Sequence, residues 1–308
     1  MARFACADEG MWTFDNLPVQ DLQSKYGLAP SPQWLEHLRL SCVRINDGGS
    51  GSFISADGLL LTNHHVARGQ LQKSSSAEHD YIRNGFYART RDQEIKSPDL
   101  EVDVLVSMQN VTDEISHRIS GIRNEQEQAT ARRAAIGALE EDSNKATGLQ
   151  SQLVTLYGGG EYWLYRYKRY TDVRIVFAPE EQAAFFGGDP DNFTYPRYDL
   201  DLAIFRVYEN GKPIHTNNYL KWNSAGAKDG ELVFVAGNPG HTYRSYTLAQ
   251  YKMFVRATLP ELLSERQARV TVDETYAQNG AEQARQAGSA IFSLQNSIKA
   301  FSGAERAG

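Results

Sequence analysis

The sequence predicts a mainly β fold, either a barrel or a sandwich, followed by the beginning of an α-helical region. Short apolar runs separated by turn residues recur between residues 41 and 236, a pattern typical of antiparallel strands. From Tyr246 onward, Ala, Glu, Gln and Arg dominate with helical spacing, so a helical region begins there, with breaks expected at Pro260 and near Gly280. The chain has 308 residues, of which 41% are hydrophobic, and is long enough for roughly two domains.

The first predicted elements are a short helix around residues 34–40 and three strands at residues 41–46, 51–55 and 59–63. Ala56-Asp57-Gly58 between the last two strands has turn chemistry, because Gly58 is free to adopt a positive φ. We therefore expect an antiparallel hairpin in this part of the chain.

The middle of the chain is predicted to place helices between strands. Residues 102–110 form a strand candidate, and the polar stretch 112–149, rich in Ala, Glu, Arg and Gln, predicts one or two exposed helices. Asn210-Gly211 is a hairpin turn leading to Pro213 and Ile214. The further predicted strands are residues 149–157, 162–167, 173–177, 202–208 and 232–236.

The charge and composition narrow the classes of partner. The net charge is −6 and the pI is near 5.7, with no basic stripe, so we expect protein, peptide or small-molecule partners and no nucleic acid. There is no run of eighteen apolar residues, so no membrane span is expected. The only cysteines, Cys6 and Cys42, form neither a disulfide framework nor a zinc motif. Ala5-Cys6-Ala7 resembles the end of a signal peptide, although an ordinary polar terminus is the alternative.

The strongest functional signal runs from Gly49 to Val66. A strand of small residues, a tight turn, an apolar strand and then a His is how trypsin-like peptidases present their general base. We assign that base to His65, because it directly precedes the small apolar Val66, and we expect the neighbouring His64 to point elsewhere. Adjacent histidines lack the i, i+4 spacing of a helical zinc pair, so no metal and no other cofactor is expected.

A general base of this type needs a carboxylate that orients its second ring nitrogen. Asp201 begins the apolar run 202–205 and has the sequence setting of that carboxylate in trypsin-like enzymes. Asp199, two residues earlier, is the competing candidate, and a strand-start Asp that only makes a local turn bond is the structural alternative.

The nucleophile is missing from the sequence pattern. In trypsin-like enzymes a Gly-x-Ser-Gly type loop follows the Asp and supplies the serine and the oxyanion hole, but no such loop follows Asp201. Ser50 lies in a similar Gly-rich string, which precedes the His and is better interpreted as close backbone packing.

A loop crowded with Gly, Asp, Asn and aromatic residues, 185–198, lies just before the Asp201 strand. Such a loop can direct amide oxygens and aromatic faces at a ligand, including a cationic amine. A structural loop held by Asx turns is the alternative interpretation.

Taken together, these motifs resemble the bacterial dipeptidyl-peptidase 7 and 11 family of serine peptidases, in order along nearly the whole chain. The resemblance rests on Glu9-Gly10-Met11-Trp12, on residues 55–65, on Gly187-Gly188-Asp189 through Asn192 with Pro196-Arg197, and on residues 201–208 and 235–240.

The resemblance implies a chymotrypsin-like double β-barrel with a helical domain inserted between its halves, and an activity that releases dipeptides from free peptide N-termini. His65 would be the general base and Asp201 its orienting carboxylate. Asn192 would bind the substrate's α-amino group, Phe193 stands where the family often has Trp, and Asn296 would complete amine recognition. The family also implies a periplasmic or secreted location and a possible homodimer.

The chain departs from the family in two respects. Val66 replaces the family's cysteine after the second His, and its partner near Gly49 is absent, so the usual disulfide cannot form. The family is also much longer, so we expect the nucleophilic serine to lie beyond this chain and the chain alone to be inactive. The expected organisation is a signal-peptide remnant and mature N-terminus at 1–10, a trypsin-like β-barrel region at 11–245 with a helical insertion at about 112–149, and the beginning of a truncated helical cap at 246–308.

Two other functions remain as alternatives. A high-temperature-requirement type serine endopeptidase shares the string from Thr62 to Val66, but there the Asp follows the His much more closely than Asp201 follows His65. A non-catalytic secreted peptide-binding module would explain the missing serine, whereas the intact His65 and Asp201 favour a truncated enzyme.

Overall fold

The computed structural model describes residues 10–46, 48–76, 78–184, 191–194, 197–239 and 246–307, with side chains to residue 303. The helices are α1 Val19–Tyr26, α2 Pro32–Ser41, α3 His64–Ser74, α4 Tyr81–Asn84, α5 Thr112–Ile119, α6 Glu125–Thr147, α7 Leu248–Met253, α8 Leu259–Ala277 and α9 Ala281–Ala307. The strands are β1 Cys42–Ile45, β2 Gly49–Phe53, β3 Leu59–Thr62, β4 Phe86–Tyr87, β5 Ile95–Lys96, β6 Val102–Asn110, β7 Gln150–Leu156, β8 Glu161–Tyr170, β9 Asp172–Ala178, β10 Ala203–Glu209 and β11 Lys212–Pro213.

The described residues fall into two compact units. The first consists of Met1–Leu60, Glu101–Val173 and Val207–Asn238, and the second of Leu61–Leu100, Arg174–Arg206 and Pro239–Gly308. The described part of the chain combines antiparallel sheet with helices, which confirms the predicted antiparallel strands, although helices cover more of the described residues than strands do.

The first unit contains an antiparallel sheet in the order β2-β1-β6-β8-β7. Its register pairs Val43 with Gly51 and Ile45 with Val102, and residues 102–110 run along β8 with one irregularity between Leu105 and Ser107. Helices α5 and α6 cover the β7–β8 end of the sheet, because alternate strand residues turn apolar side chains toward them. The core there consists of Val111, Ile115, Ala135, Leu139, Leu153, Tyr162 and Leu164.

Local sequence signals explain several elements of the first unit. The Ser31 hydroxyl caps α2 by accepting from the Trp34 amide at 3.1 Å, and Asn124 caps α6 in the same way. Gly58 has φ 70°, and a Cβ there would lie 2.9 Å from the Val207 carbonyl oxygen, so the hairpin turn requires glycine. The predicted helix at 34–40, the hairpin and the helices within 112–149 are confirmed.

The predicted strand at residues 232–236 is wrong. In the described structure this segment is irregular, and its Val235 side chain is fully exposed. An apolar, β-branched run raises strand propensity, but a strand forms only where a neighbouring strand accepts and donates its backbone hydrogen bonds. Among the described residues, no strand pairs with this run.

The second unit combines short strands with helices. Strands β4 and β5 both pair antiparallel with β9, with Phe86 opposite Ala178 and Ile95 opposite Ile175. Helices α8 and α9 pack against each other, and Leu259, Val270, Ala287 and Leu294 are buried in this part of the chain.

The helical region continues through Pro260, where a break was expected, so that prediction is wrong, whereas the break expected near Gly280 is confirmed. Pro260 lies in the first turn of α8, and a π-helical turn, Phe254–Thr258, precedes it. Proline has no N–H to donate and its ring clashes with the carbonyl four residues earlier, so the helical ladder widens there instead of stopping. Gly280, with φ 153°, separates α8 from α9. None of the helices in the described part of the chain is both long and apolar enough to cross a lipid bilayer.

Candidate active site

His65 lies in the first turn of a helix that the sequence did not predict. Strand β3 ends at Thr62, Asn63 has extended φ and ψ as the residue before the helix, and α3 begins at His64. The available signal was Asn63 itself, since Asn is favoured immediately before a helix. Because the chain changes from strand to helix at this point, the His65 amide is among the first-turn N–H groups that no helical carbonyl accepts.

Asp201 satisfies that amide and the His65 ring together. One carboxylate oxygen, Oδ1, accepts from the His65 backbone N–H at 2.9 Å, and the other, Oδ2, lies 2.6 Å from His65 Nδ1. The Asn63 side chain adds two contacts, from Nδ2 to Asp201 Oδ2 at 3.3 Å and to the Asp201 carbonyl oxygen at 3.1 Å. Thus both the main chain and side chains hold the carboxylate against the imidazole.

This contact determines which ring nitrogen of His65 is available for chemistry. A carboxylate can only accept, so Nδ1 carries the proton and the neutral ring keeps its lone pair on Nε2. The His65 side chain is 35% exposed, so its ring is not enclosed by the described residues. A half-exposed imidazole with an oriented Nε2 can take a proton from a hydroxyl group that approaches it.

The electrostatics keep Asp201 ionised. Burial raises the pKa of the Asp201 carboxyl, but hydrogen bonds from the His65 ring and the His65 backbone lower it, and the net result is a pKa below the usual value. The positive end of the α3 dipole acts in the same direction. An ionised carboxylate at this position stabilises a positive charge that develops on the imidazole.

His64 has a different environment from its neighbour. Its side chain is buried, with only 1% exposed. Burial lowers the pKa of His64, and Arg68 lowers it further, against the opposing effects of Asp201 and Glu181. His64 is therefore a buried ring whose lowered pKa favours the neutral form.

Asp199, the competing carboxylate, lies against Arg197, with 3.4 Å between Oδ2 and Nη2. The structure therefore brings Asp201, rather than Asp199, to the His65 ring. Ser50, in the Gly-rich string, accepts from the Asn238 backbone N–H at 2.6 Å, and a Cβ at Gly237 would lie 2.6 Å from its Oγ. These distances agree with close backbone packing at Ser50.

A second polar pair joins the loop before Asp201 to α9. Asn192 is buried, with 1% exposed, and its Nδ2 donates to Asn296 Oδ1 at 3.0 Å. The Asn192 Oδ1 is also buried and has no hydrogen-bond partner among the described residues. A buried amide oxygen without a donor is costly, and a cationic N–H group would satisfy it.

Phe193 follows Asn192 in an unusual backbone conformation. Its φ is 61°, a left-handed value that is rare for a residue with a bulky side chain, and its side chain is largely exposed. The rest of the predicted ligand loop, residues 185–190 and 195–196, lies outside the described residues, as do Cys6 and the possible signal-peptide remnant.

Cys42 and the described carboxylates and histidines outside the His65 site are further candidates for reactive or metal-binding groups. Cys42 is a buried free thiol, and burial raises its pKa to about 11, so it is poorly suited to act as a nucleophile. Within the described ranges, no group of three or more His, Cys, Asp or Glu side chains is arranged to hold a metal ion.

Comparison with known proteins gives concordant results. The family model described as Peptidase S46 matches residues 7–308. The chain is 33% identical over 276 residues to a dipeptidyl-peptidase 7 of Phocaeicola vulgatus, covering 82% of this chain and 38% of that protein. It is 31% identical over 265 residues to an Asp/Glu-specific dipeptidyl-peptidase of Porphyromonas endodontalis, covering 79% of this chain and 37% of the relative.

Solved structures agree with the sequence comparison. A crystal structure of Porphyromonas endodontalis DPP11 in complex with the dipeptide Arg-Asp matches with a TM-score of 0.86 and 25% identity, covering 98% of this chain and 46% of that one. A second structure of the same protein, in complex with substrate, matches with a TM-score of 0.82 and 26% identity. The chain spans less than half the length of these relatives.

Proposed function

The chain belongs to the peptidase S46 family, and from this premise we propose that it is the N-terminal part of a serine-type dipeptidyl aminopeptidase. Such an enzyme releases dipeptides from the free N-terminus of peptides through an acyl-enzyme. The observation that carries the proposal is the contact of Asp201 with both the ring and the backbone of His65. The relatives named dipeptidyl-peptidase 7 and Asp/Glu-specific dipeptidyl-peptidase support the same substrate class.

In the proposed mechanism His65 is the general base. Its Nε2 takes the proton from the hydroxyl of a serine supplied by a segment outside these 308 residues, and the serine oxygen attacks the scissile carbonyl. The imidazolium then donates that proton to the leaving amine, and a water molecule hydrolyses the acyl-enzyme with His65 again acting as base. Asp201 holds Nδ1–H and stabilises the imidazolium in both steps.

Asn192 and Asn296 would anchor the substrate's α-ammonium group. The hydrogen bond from Asn192 Nδ2 to Asn296 Oδ1 orients the Asn192 amide and leaves its buried Oδ1 to accept from a cation. Phe193 would place an apolar ring beside that cation. Release of dipeptides then follows if this anchor lies two residues from the carbonyl that the serine attacks.

We propose the architecture, the cellular location and the assembly of the protein on the same basis. The antiparallel strands of this chain would supply the first barrel of a chymotrypsin-like double β-barrel, and the region after Tyr246 would begin a helical cap. We expect a periplasmic or secreted bacterial enzyme that requires no cofactor, with peptides as partners and a homodimer as the assembly.

The test is hydrolysis by the full-length protein of a peptide with a free N-terminus and of its N-acetylated form. We expect dipeptide release from the free peptide alone, loss of that release in His65→Ala, and normal release in His117→Ala, which changes an exposed histidine on α5. A panel with acidic and with apolar side chains at the second residue would define the specificity. Cleavage of the acetylated peptide would indicate an endopeptidase, and no cleavage by the wild-type protein would indicate a binding module.

A further inference from the structure

We infer that Arg68 is a positioning residue that holds α9, the helix bearing Asn296, and the base of the loop that carries Asn192 against the helix that carries His65. The inference rests on the proposed function of those asparagines, but the contacts that carry it are separate from their own. Arg68 lies in α3, one helical turn after His64 and His65.

The first contact ties Arg68 to the loop that carries Asn192. The Arg68 Nη2 lies 2.7 Å from Glu181 Oε1, and only 8% of the Arg68 side chain is exposed. Glu181 stands near the start of this loop, whose base is closed by a hydrogen bond from the Leu200 N–H to the Ala183 carbonyl at 2.8 Å. The ion pair therefore fixes the base of the loop to the middle of α3.

The second contact ties Arg68 to α9. The guanidinium carbon of Arg68 lies 4.6 Å from the centroid of the Phe292 ring, which is the geometry of a cation–π contact. Phe292 precedes Asn296 by four residues, so the two side chains lie on one face of the helix. Holding Phe292 against α3 therefore also sets which face of α9 points toward Asn192 and where Asn296 lies along the helix axis.

Two further positions continue the same face of α9. Gln72 of α3 donates from Nε2 to the Arg285 carbonyl at 2.9 Å. Gly288 lies between these contacts, and a Cβ there would be 3.9 Å from Arg68 Nη2, so the guanidinium passes directly over it. Arg285, Gly288, Phe292 and Asn296 follow the three- and four-residue spacing of one helical face, and that face docks on α3.

The two contacts at position 68 favour arginine over lysine. A planar guanidinium can stack on an aromatic ring and donate to a carboxylate at its edge at the same time, whereas an ammonium cannot do both equally well. Because the side-chain contacts of Arg68 among the described residues are with Glu181 and Phe292, its removal should disturb substrate binding more than the chemical step.

The test compares Arg68→Met with Arg68→Lys and Phe292→Leu in the full-length protein, with Arg83→Met on an exposed part of α4 as the control. We expect Arg68→Met to raise KM for a free-N-terminus peptide about tenfold, while kcat changes less than about threefold and its pH profile is unchanged. Phe292→Leu should act in the same direction, Arg68→Lys should recover part of the loss, and Arg83→Met should match the wild-type protein.

Amide hydrogen exchange in the absence of substrate provides a readout that does not depend on activity. Exchange at residues 285–296 of α9 should rise severalfold in Arg68→Met, with α8 unchanged. Unchanged α9 exchange, or a loss confined to kcat, would overturn the positioning role. If the wild-type protein releases no dipeptide, the proposed function fails, but the exchange result still decides whether Arg68 docks α9.

Discussion

The His65–Asp201 pair and the Asn192–Asn296 pair lie in the same compact unit, but they are held in different ways. The Asp201 carboxylate is fixed by a main-chain amide at a helix N-terminus as well as by the His65 ring. Asn192 and Asn296 meet only through their side chains, one on a loop and one on α9. The base therefore depends on local backbone geometry, whereas the amine anchor depends on how a distant helix docks.

The largest expected loss of activity comes from disrupting the His65–Asp201 pair. Asp201→Asn should lower kcat about 10⁴-fold with KM little changed, because an amide neither stabilises the imidazolium nor enforces the tautomer with Nε2 free. Steady-state kinetics of dipeptide release would measure this, with Asp142→Asn on the exposed side of α6 as the control. A loss of kcat smaller than about tenfold would contradict the assigned role.

The next largest effect is expected from disrupting the Asn192–Asn296 pair. Asn296→Ala should raise KM for free-N-terminus peptides about 10- to 100-fold with a smaller change in kcat, because a hydrogen bond to a charged group contributes about 1.5–3 kcal/mol. The neighbouring Gln295→Ala is a matched control, since its side chain contacts Glu274 on the helix surface. An equal effect of the two variants on KM would remove Asn296 from amine recognition.

A smaller effect is expected from Asn63, and it separates the contribution of side-chain bonds to Asp201 from that of the His65 backbone N–H. Asn63→Ala removes two hydrogen bonds to Asp201 but leaves the bond from the His65 N–H intact. We expect kcat to fall only about fivefold, since the Asn63 bond to the carboxylate is long, at 3.3 Å, and the shorter bond from the His65 N–H continues to hold Asp201. A loss as large as that of Asp201→Asn would show that the side chain, not the backbone, orients the carboxylate.

The smallest expected effect concerns stability and pH. Because burial lowers the pKa of His64, the unfolded chain binds more protons at this residue than the folded one as the pH falls below about 6.5. The contribution of His64 to stability is thus present above that pH and is lost on acidification. Thermal unfolding between about pH 5 and 7 should show a flatter dependence on pH in His64→Gln than in the wild-type protein; parallel curves would contradict a buried neutral His64.

The sequence predicted the two regions to different degrees. His65 and Asp201 stand out because strand, turn and strand residues around them form local patterns that can be read along the chain. The loop that carries Asn192 stood out from its composition, but the roles of Asn192 and Asn296 emerged only through the family resemblance, since an isolated Asn has many structural uses. Nothing in the sequence singled out Arg68, because its partners Glu181 and Phe292 are brought to it by tertiary packing.

Two errors in the predicted secondary structure, at α3 and at residues 232–236, also arise because tertiary contacts cannot be read along the chain. Helix α3 was missed because the apolar pattern of β3 ends just before it, and the helix is short, with both polar and apolar residues among its buried positions. The run 232–236 was predicted as a strand from composition alone, although pairing decides whether a strand forms. Local turn and cap chemistry was therefore predictable, and contacts between distant segments were not.

The proposed amine site and general base are tested most directly by a crystal structure of the full-length protein bound to a product dipeptide. We predict that the ammonium nitrogen of the dipeptide lies about 3 Å from the Asn192 Oδ1, which is buried and has no partner among the described residues, and that His65 is still hydrogen-bonded to Asp201. A dipeptide whose ammonium group lies away from Asn192 and Asn296 would contradict the assignment of this pair to amine recognition. A His65 ring turned away from Asp201 would contradict the proposed base.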